Sequence, residues 1–186
     1  MFKILNFLYL KYLRFKYRNL IIGKNTKIDI NSAILINDNK LNIGNHVTLR
    51  SRSKGYHAGM PFPTTILIDV ANARISIGDG TRLNGVYIHA QKEIIIGNNC
   101  VIAAGVNIID SNGHELKSLD RTKGRDIPKE IYIEDNVWIG LNVIILKGTK
   151  IGKNSVVAAG SVVKGVFPEN SLIAGNPAVQ IDKINF

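Results

Sequence analysis

Four histidines and one cysteine are the side chains of this chain best suited to acid–base or nucleophilic chemistry. Histidine titrates near neutral pH, so it suits general-base catalysis. His114 begins a long polar segment and is our candidate base, and His57, in a shorter irregular segment, is a candidate for contact with a substrate. His46 and His89 lie within regular repeats. This favours a turn position for His46 and a packing role for His89. Cys100 has no partner for an internal disulfide, and its position indicates a core residue.

The segments that must position these side chains follow a period of six residues. The longest aliphatic run is Ile133, Ile139, Ile145, Ile151, Val157 and Val163, and shorter copies are Ile22-Ile28-Ile34, Ile43-Leu49, Ile77-Leu83 and Ile96-Ile102-Ile108. A period of six fits neither an amphipathic helix nor one continuous strand. It fits very short strands separated by sharp turns, with one aliphatic side chain of each unit pointing inward. The sequence therefore predicts an all-β fold, a parallel β-helix of hexapeptide repeats.

Two further features of the repeat matter for the site. Small residues occupy the positions four after the aliphatic ones, and we expect them to point inward as well: Cys100, Val106, Val143, Thr149, Ser155 and Ser161. The period fails over residues 50–64 and 110–130. Irregular loops carried by a rigid scaffold are where binding and catalysis concentrate. We therefore expect the functional residues in and beside these two loops.

The N-terminal segment has a different pattern. Residues 1–20 predict a short basic amphipathic helix, and residues 21–186 form the β-helix domain. The formal net charge is +10. Half of that excess comes from Lys3, Lys11, Arg14, Lys16 and Arg18. Such a helix either lies on a membrane surface or packs against the rest of the protein.

The remaining composition bears on partners and location. The rest of the chain is mildly basic and has no nucleic-acid-binding motif, so no nucleic-acid partner is expected. No apolar run approaches the length of a membrane span, and residues 1–20 do not have the pattern expected of a secretory signal. The lone cysteine favours a reducing compartment. We expect a cytoplasmic protein, with a peripheral position at the inner face of the cytoplasmic membrane if the helix binds lipid.

The segment Asn136–Ala178 carries a resemblance to a known family. Its marks are Val137-Trp138-Ile139-Gly140, Ala159-Gly160-Ser161-Val162-Val163 and Gly175-Asn176-Pro177-Ala178. In this order and spacing they resemble the hexapeptide-repeat acetyltransferases, and among these the sugar and surface-polysaccharide O-acetyltransferases related to galactoside and maltose acetyltransferases. The resemblance implies a left-handed β-helix, an exception to the usual handedness of crossovers. It also implies a homotrimer with active sites between subunits.

The resemblance further implies a set of functional residues. It makes His114 the general base of a direct acetyl transfer from acetyl-CoA to a hydroxyl of a sugar or lipid-linked saccharide, with no metal. The substrate-contacting candidates are Asn84, Asp110, Glu115 and His57. The cofactor-contacting candidates are Trp138, Gly140, Ala159, Gly160, Lys164 and Lys183. The two lysines stand in for cations that the family often carries elsewhere, because the phosphates of the coenzyme need positive partners.

Several of these assignments have alternatives. Asn84 and Asp110 also suit turns, and Trp138 also suits a packed corner. The 20 residues before the repeats are too few for the long helical or small α/β N-terminal domains of serine and nucleotide-sugar acetyltransferases, so we expect a sugar hydroxyl as the acceptor. An N-acetyltransferase acting on an amine is the second reading. A zinc enzyme of the carbonic anhydrase type, or a scaffold without catalysis, is the third.

Overall fold

The computed structural model describes residues 2–185, with the side chains from residue 5 onward. The helix α1 spans Phe2–Lys16. The strands are β1 (Leu20–Ile22), β2 (Lys27–Ile28), β3 (Ala33–Leu35), β4 (Lys40–Ile43), β5 (Thr48–Arg50), β6 (Thr65–Ile68), β7 (Arg74–Ile77), β8 (Arg82–Asn84), β9 (Tyr87–Ala90), β10 (Glu93–Ile96), β11 (Val101–Ile102), β12 (Asn107–Ile109), β13 (Ile131–Ile133), β14 (Trp138–Ile139), β15 (Ile144–Leu146), β16 (Lys150–Ile151), β17 (Val156–Val157), β18 (Val162–Val163), β19 (Val166–Phe167), β20 (Ser171–Gly175) and β21 (Ala178–Lys183).

The strands form three sheets in which each strand pairs in parallel with the strand three positions further along. Sheet A contains β1, β4, β7, β10, β13, β16 and β19, sheet B contains β2, β5, β8, β11, β14, β17 and β20, and sheet C contains β3, β6, β9, β12, β15 and β18. The last strand, β21, turns back and pairs antiparallel with β20. The chain therefore winds from sheet A to B to C in stacked coils. This confirms the predicted parallel β-helix.

The aliphatic register fills the inside of these coils as predicted. Ile139, Ile145, Ile151 and Val163 have no exposed surface, and Ile133 and Val157 expose 1%. The small residues at the intervening inward positions are equally buried, and Cys100 is one of them. Burial raises the pKa of the Cys100 thiol, which disfavours the reactive thiolate. The cysteine is therefore a core residue, as the repeat predicts.

Asparagines make many of the corners between sheets. Among the described residues other than glycine, left-handed backbone, with φ between 46° and 66°, occurs at His46 and at eight asparagines: Asn25, Asn37, Asn72, Asn99, Asn136, Asn142, Asn154 and Asn170. Asparagine tolerates this conformation better than other residues with a Cβ. At the corner between sheets A and B, the Asn154 amide also bonds to Asn136 at 2.9 Å and to Asn170 at 3.0 Å. This ladder ties successive coils together.

The helix α1 packs on the first coil. Leu13 and Tyr17 are buried there. The Tyr9 hydroxyl donates to the Ser32 carbonyl oxygen at 2.6 Å, and the Tyr17 hydroxyl donates to that of Ile34 at 2.6 Å. Within residues 2–185, α1 is too short and too polar to span a bilayer.

The helix is shorter than the predicted range of residues 1–20, whose first residue lies outside the described part. It ends at Lys16, because Leu20 already belongs to β1 and pairs with Leu41 of the next coil. Leu20 and Ile22 follow the inward–outward alternation of a strand, so sheet pairing takes over from helical spacing.

Two long connections leave the coils. The first runs from Arg50 at the end of β5 to Thr65 at the start of β6, at the corner between sheets B and C. The second runs from Ile109 at the end of β12 to Ile131 at the start of β13, at the corner between sheets C and A. We call these the B–C loop (residues 51–64) and the C–A loop (residues 110–130). The two loops project from different corners of the prism.

Candidate functional site

A groove runs along the outer face of sheet B at its edge with sheet C. It encloses about 450 Å³, and its floor is Val101, Ala103, Gly140 and Ala158. Trp138, which is 55% exposed, forms one side of the groove. The floor consists of small residues, so a linear chain can lie against the backbone.

Gly140 and Ala159 keep this floor shallow. A Cβ added to Gly140 would approach the backbone nitrogen of Ala159 to 2.7 Å, so the stacking of coils itself requires glycine there. Ala159 also lines the groove, and Gly160, its exposed neighbour, has a φ of 73° and open space around its Cα. The structure thus brings Trp138, Gly140 and Ala159 together as predicted, with Gly160 beside them.

The B–C loop covers one side of the groove. Tyr56 and His57 both line it, and their ring centroids are 4.7 Å apart. His57 is predicted to contact a substrate, and the structure places it with the cofactor candidates rather than with His114. The sequence analysis does not identify Tyr56 as a groove residue, because the loop that carries it follows no hexapeptide period.

The two lysine candidates lie away from the groove. Lys164 is exposed after β18, where sheet C turns towards sheet A, and Lys183 ends the antiparallel β21 opposite Ser171. Neither lines the groove. Their contact with phosphates stays a prediction.

His114 lies in the C–A loop, beside a second depression. This depression encloses about 400 Å³ and is lined by Gly113, His114, Thr122, Gly124 and Arg125. The imidazole is exposed, and no described residue hydrogen-bonds to it. It is thus accessible to a substrate proton, and its local surroundings are polar and basic.

A partly buried ion pair fastens the C–A loop to the β-helix. Lys147, which follows β15 in the next coil, donates to the carboxylate of Asp126 and, at 3.0 Å, to the carbonyl oxygen of Ile127. Asp126 also accepts hydrogen bonds from the Ser111 hydroxyl and, at 2.7 Å, from the backbone amide of Asn112. We call Ser111, Asp126 and Lys147 the loop clamp. It joins the loop on both sides of His114 to the scaffold.

The electrostatics of the clamp are strong. Burial alone would raise the pKa of Asp126, but the hydrogen bonds from Lys147, Ser111 and the Asn112 amide outweigh it and hold the pKa at about 2. The ordinary value for aspartate is about 4. Since the folded pKa is depressed, the clamp stabilises the loop fully above about pH 4. The contribution is lost as the pH falls towards 2.

Asp110 is the first residue of the C–A loop. The sequence offers it as a substrate contact or as a turn residue, and its carboxylate has no exposed surface. Its oxygens accept hydrogen bonds from the backbone amides of Gln91, Lys92 and Glu93 in the preceding coil, at 2.7 to 2.9 Å. Burial raises its pKa, although these three hydrogen bonds oppose the rise. Asp110 thus caps a neighbouring turn at the start of the C–A loop and is closed to a ligand.

Asn84 and Glu115 remain accessible. Asn84 ends β8, is half-buried and donates its amide to the carbonyl oxygen of Ile102 at 3.0 Å. Glu115 is exposed, and its side chain lies against Gly124 across the C–A loop. Their contacts with an acceptor stay predictions.

The other two histidines have local roles. His46 is an exposed corner residue, as predicted. His89 lies on the outer face of sheet C, with its Nε2 2.9 Å from the Asp69 carboxylate and its ring edge-on to Tyr87. Among residues 2–185, no three His, Cys, Asp or Glu side chains converge on a point that would hold a metal ion.

Comparison with known proteins places the chain in a family. The model of a protein family described as the hexapeptide repeat of succinyl-transferase matches residues 94–109 and 130–164 of this chain. An acetyltransferase with hexapeptide repeats from Vibrio cholerae O1 biovar eltor, solved in complex with acetyl-CoA, is 35% identical. It aligns over 69% of this chain and 68% of its own, with a TM-score of 0.56.

The chain belongs to the hexapeptide-repeat acetyltransferase family. Its fold is therefore the left-handed parallel β-helix. This confirms the family and the handedness that the segment Asn136–Ala178 predicts.

Two curated members of the family are also similar to this chain. The galactoside O-acetyltransferase of Lactococcus lactis subsp. lactis strain IL1403 is 41% identical over 50% of this chain and 44% of its own. A protein of Escherichia coli strain K12, provisionally named a lipopolysaccharide biosynthesis O-acetyltransferase, is 38% identical over 60% of this chain and 61% of its own. The chain spans about half the length of the curated relatives that it matches.

Within one chain the groove and His114 stay apart. The groove lies at the edge between sheets B and C, and the C–A loop leaves the next corner of the prism. None of the described residues lining the groove belongs to residues 110–130.

The loop clamp generates a prediction about this hexapeptide-repeat protein. Asp126→Asn removes the charge that holds Lys147, and it weakens the charge-assisted hydrogen bonds that Asp126 accepts from Lys147, Ser111 and the Asn112 amide. We expect trypsin to cleave Asp126→Asn within the loop, after Lys117, Arg121, Lys123 or Arg125, at least about tenfold faster than wild type. The β-helix should stay intact by circular dichroism.

Asp120→Asn is the matched control, because the Asp120 carboxylate bonds to Thr122 and Lys123, both within the loop. It should leave the cleavage rate close to that of wild type. Equal cleavage of Asp126→Asn and wild type would mean that the clamp does not hold the loop.

Proposed function

We propose that the protein is an acetyl-CoA-dependent O-acetyltransferase whose acceptor is a hydroxyl of a sugar. The observation that carries this proposal is the shallow groove beside Trp138, in a family whose Vibrio cholerae member is complexed with acetyl-CoA. The pantetheine arm of the coenzyme is a linear chain, and it fits a floor of small residues. Galactoside O-acetyltransferase among the relatives supports a sugar as the acceptor.

The coenzyme in this proposal lies along sheet B with its thioester near Trp138. Gly140, Ala159 and Gly160 let the arm approach the backbone. The phosphates extend beyond the groove, where Lys164 or Lys183 offers a cation. His57 and Tyr56 line the same groove, so they limit how the coenzyme and the acceptor enter it.

His114 acts in this mechanism as the general base. It takes the proton of the acceptor hydroxyl at a ring nitrogen while the hydroxyl oxygen attacks the acetyl carbonyl carbon. The tetrahedral intermediate then collapses, the carbon–sulfur bond breaks, and the thiolate of coenzyme A leaves and receives the proton. Cys100 is fully buried, so the transfer is direct and does not pass through an acyl-cysteine.

The active enzyme in this proposal is a homotrimer with its sites between neighbouring copies. The groove of one copy faces the C–A loop of the next, which supplies His114. What supports this is the separation of the two features within one chain. Closed cyclic assemblies of identical chains form such repeated heterologous interfaces.

The acceptor in this proposal is a saccharide of surface polysaccharide assembly, lipid-linked at the cytoplasmic membrane face. Its support is the lipopolysaccharide-biosynthesis name of the Escherichia coli relative and the surface of α1. The helix has exposed apolar side chains at spacings of three and four: Leu5, Leu8, Tyr12 and Phe15. Cations flank this row and α1 has no acid, which suits an anionic bilayer.

The base assignment predicts the effect of His114→Ala. Removing a general base costs about 10² to 10⁴ in rate, so kcat should fall by that factor while the fold persists. The measurement is release of coenzyme A from acetyl-CoA with a panel of sugars and lipid-linked oligosaccharides. His46→Ala, on an exposed corner, is the control and should keep wild-type kcat.

Retention of wild-type turnover by His114→Ala would refute the base assignment. Acetyl transfer to amines but not to hydroxyls would favour an N-acetyltransferase instead.

The exposed row on α1 predicts lipid binding. Phe15 is 89% exposed, and burying a phenylalanine contributes about 1.5–3 kcal/mol. Phe15→Glu should therefore lower partitioning to phosphatidylglycerol vesicles by about tenfold or more. Co-sedimentation measures this, with Leu119→Glu in the C–A loop as the matched control. Equal sedimentation of Phe15→Glu and wild type would exclude membrane contact through this face.

A further inference from the structure

Arg50 stands at the end of β5, on the outer face of sheet B next to the groove. In β5, Leu49 points into the core, while Thr48 and Arg50 point outward. Arg50 pairs in register with Asn84 of the next coil. Arg50 and Asn84 thus lie one above the other at this edge of sheet B, in the two coils before the groove. Asn84 is the residue that we expect to contact the acceptor.

The charge of Arg50 has no anionic partner. Its guanidinium lies 5.9 Å from the ring centroid of Tyr56, which also lines the groove. No described residue forms an ion pair or hydrogen bond with that guanidinium. Nearby Arg52, by contrast, pairs with Asp29 at 3.0 Å. Arg50 is thus half-buried, lies near an aromatic ring and forms no ion pair with any residue that the structure describes.

The surface around Arg50 is also positive. Thr48 lies in register between Lys27 and Arg82, both exposed and without an ion pair among the described residues. Asp29, which follows β2 in the preceding coil, already pairs with Arg52 and accepts a hydrogen bond from the backbone amide of Ser51. A ligand at this end of the groove therefore meets uncompensated positive charge.

We propose that Arg50 binds a negative group of the acceptor, so that the acceptor is an acidic saccharide or a sugar phosphate. The planar guanidinium matches a carboxylate or a phosphate with two parallel hydrogen bonds. Asn84, one coil further on, uses one amide hydrogen on Ile102 and keeps its Oδ1 for an acceptor hydroxyl. Tyr56 connects Arg50 with the groove, because its ring centroid lies 5.9 Å from the Arg50 guanidinium and its side chain lines the groove. This inference rests on the proposed transferase function.

Direct binding tests the inference without any turnover. The probes are matched pairs: methyl galactoside with methyl galacturonide, methyl glucoside with methyl glucuronide, and each neutral glycoside with the sugar 1-phosphate. Isothermal titration of the full chain should give about tenfold tighter binding of the charged member. The preference should shrink at high salt. The carboxylate and phosphate arms show which group the site takes.

Variants assign the preference to this side chain. Arg50→Gln should bring the ratio of charged to neutral binding close to one, and Arg50→Lys should restore part of it as a point charge. Lys40→Gln, an exposed cation on sheet A, should keep the wild-type ratio. Equal binding of charged and neutral members by wild type, or an unchanged preference in Arg50→Gln, would overturn the inference.

Acetyl transfer is then measured separately with the same pairs. Arg50-dependent binding without transfer would contradict the proposed function and leave the anion site standing. Transfer without any charge preference would support the function and overturn the anion site.

Discussion

One aliphatic side chain in every six residues must be buried, and the rest of the structure depends on this constraint. Ile133, Ile139 and Ile145 belong to three successive sheets of one coil, and each stacks directly on its counterpart in the next coil. Each such side chain contributes about 1.5–3 kcal/mol by burial. Because the stack is continuous, the scaffold is rigid wherever the register holds, and irregular backbone is confined to its corners.

The function follows from where the register is interrupted. The B–C loop places Tyr56 and His57 beside a groove whose floor consists mainly of small residues. The C–A loop carries His114 and is fastened by Asp126 and Lys147. The two loops leave different corners of the prism, and for this reason the proposed function takes the groove from one copy of the chain and His114 from a neighbouring copy.

The sequence predicted the scaffold far better than the site. Periodicity identifies Ile139 and Cys100 as core residues, since inward positions repeat along the chain. It does not identify the role of Asp110, because the amides that this carboxylate binds belong to another coil. The contact between Asp126 and Lys147 is equally invisible, as no local spacing links a loop residue to a corner of the next coil. The sequence likewise does not identify Arg50 as a candidate binding residue, because its position beside Asn84 depends on the pairing of β5 with β8.

The most direct test of a site shared between copies is activity in mixed trimers. His114→Ala lacks the base, and Ala159→Trp blocks the groove with a ring at an exposed position. If each site takes its groove from one copy and His114 from the next, random co-assembly of these two inactive chains restores about a quarter of the sites. Acetyl transfer by the purified mixed trimers measures this. No recovered activity would contradict the account, because a site contained within one chain remains inactive in every combination.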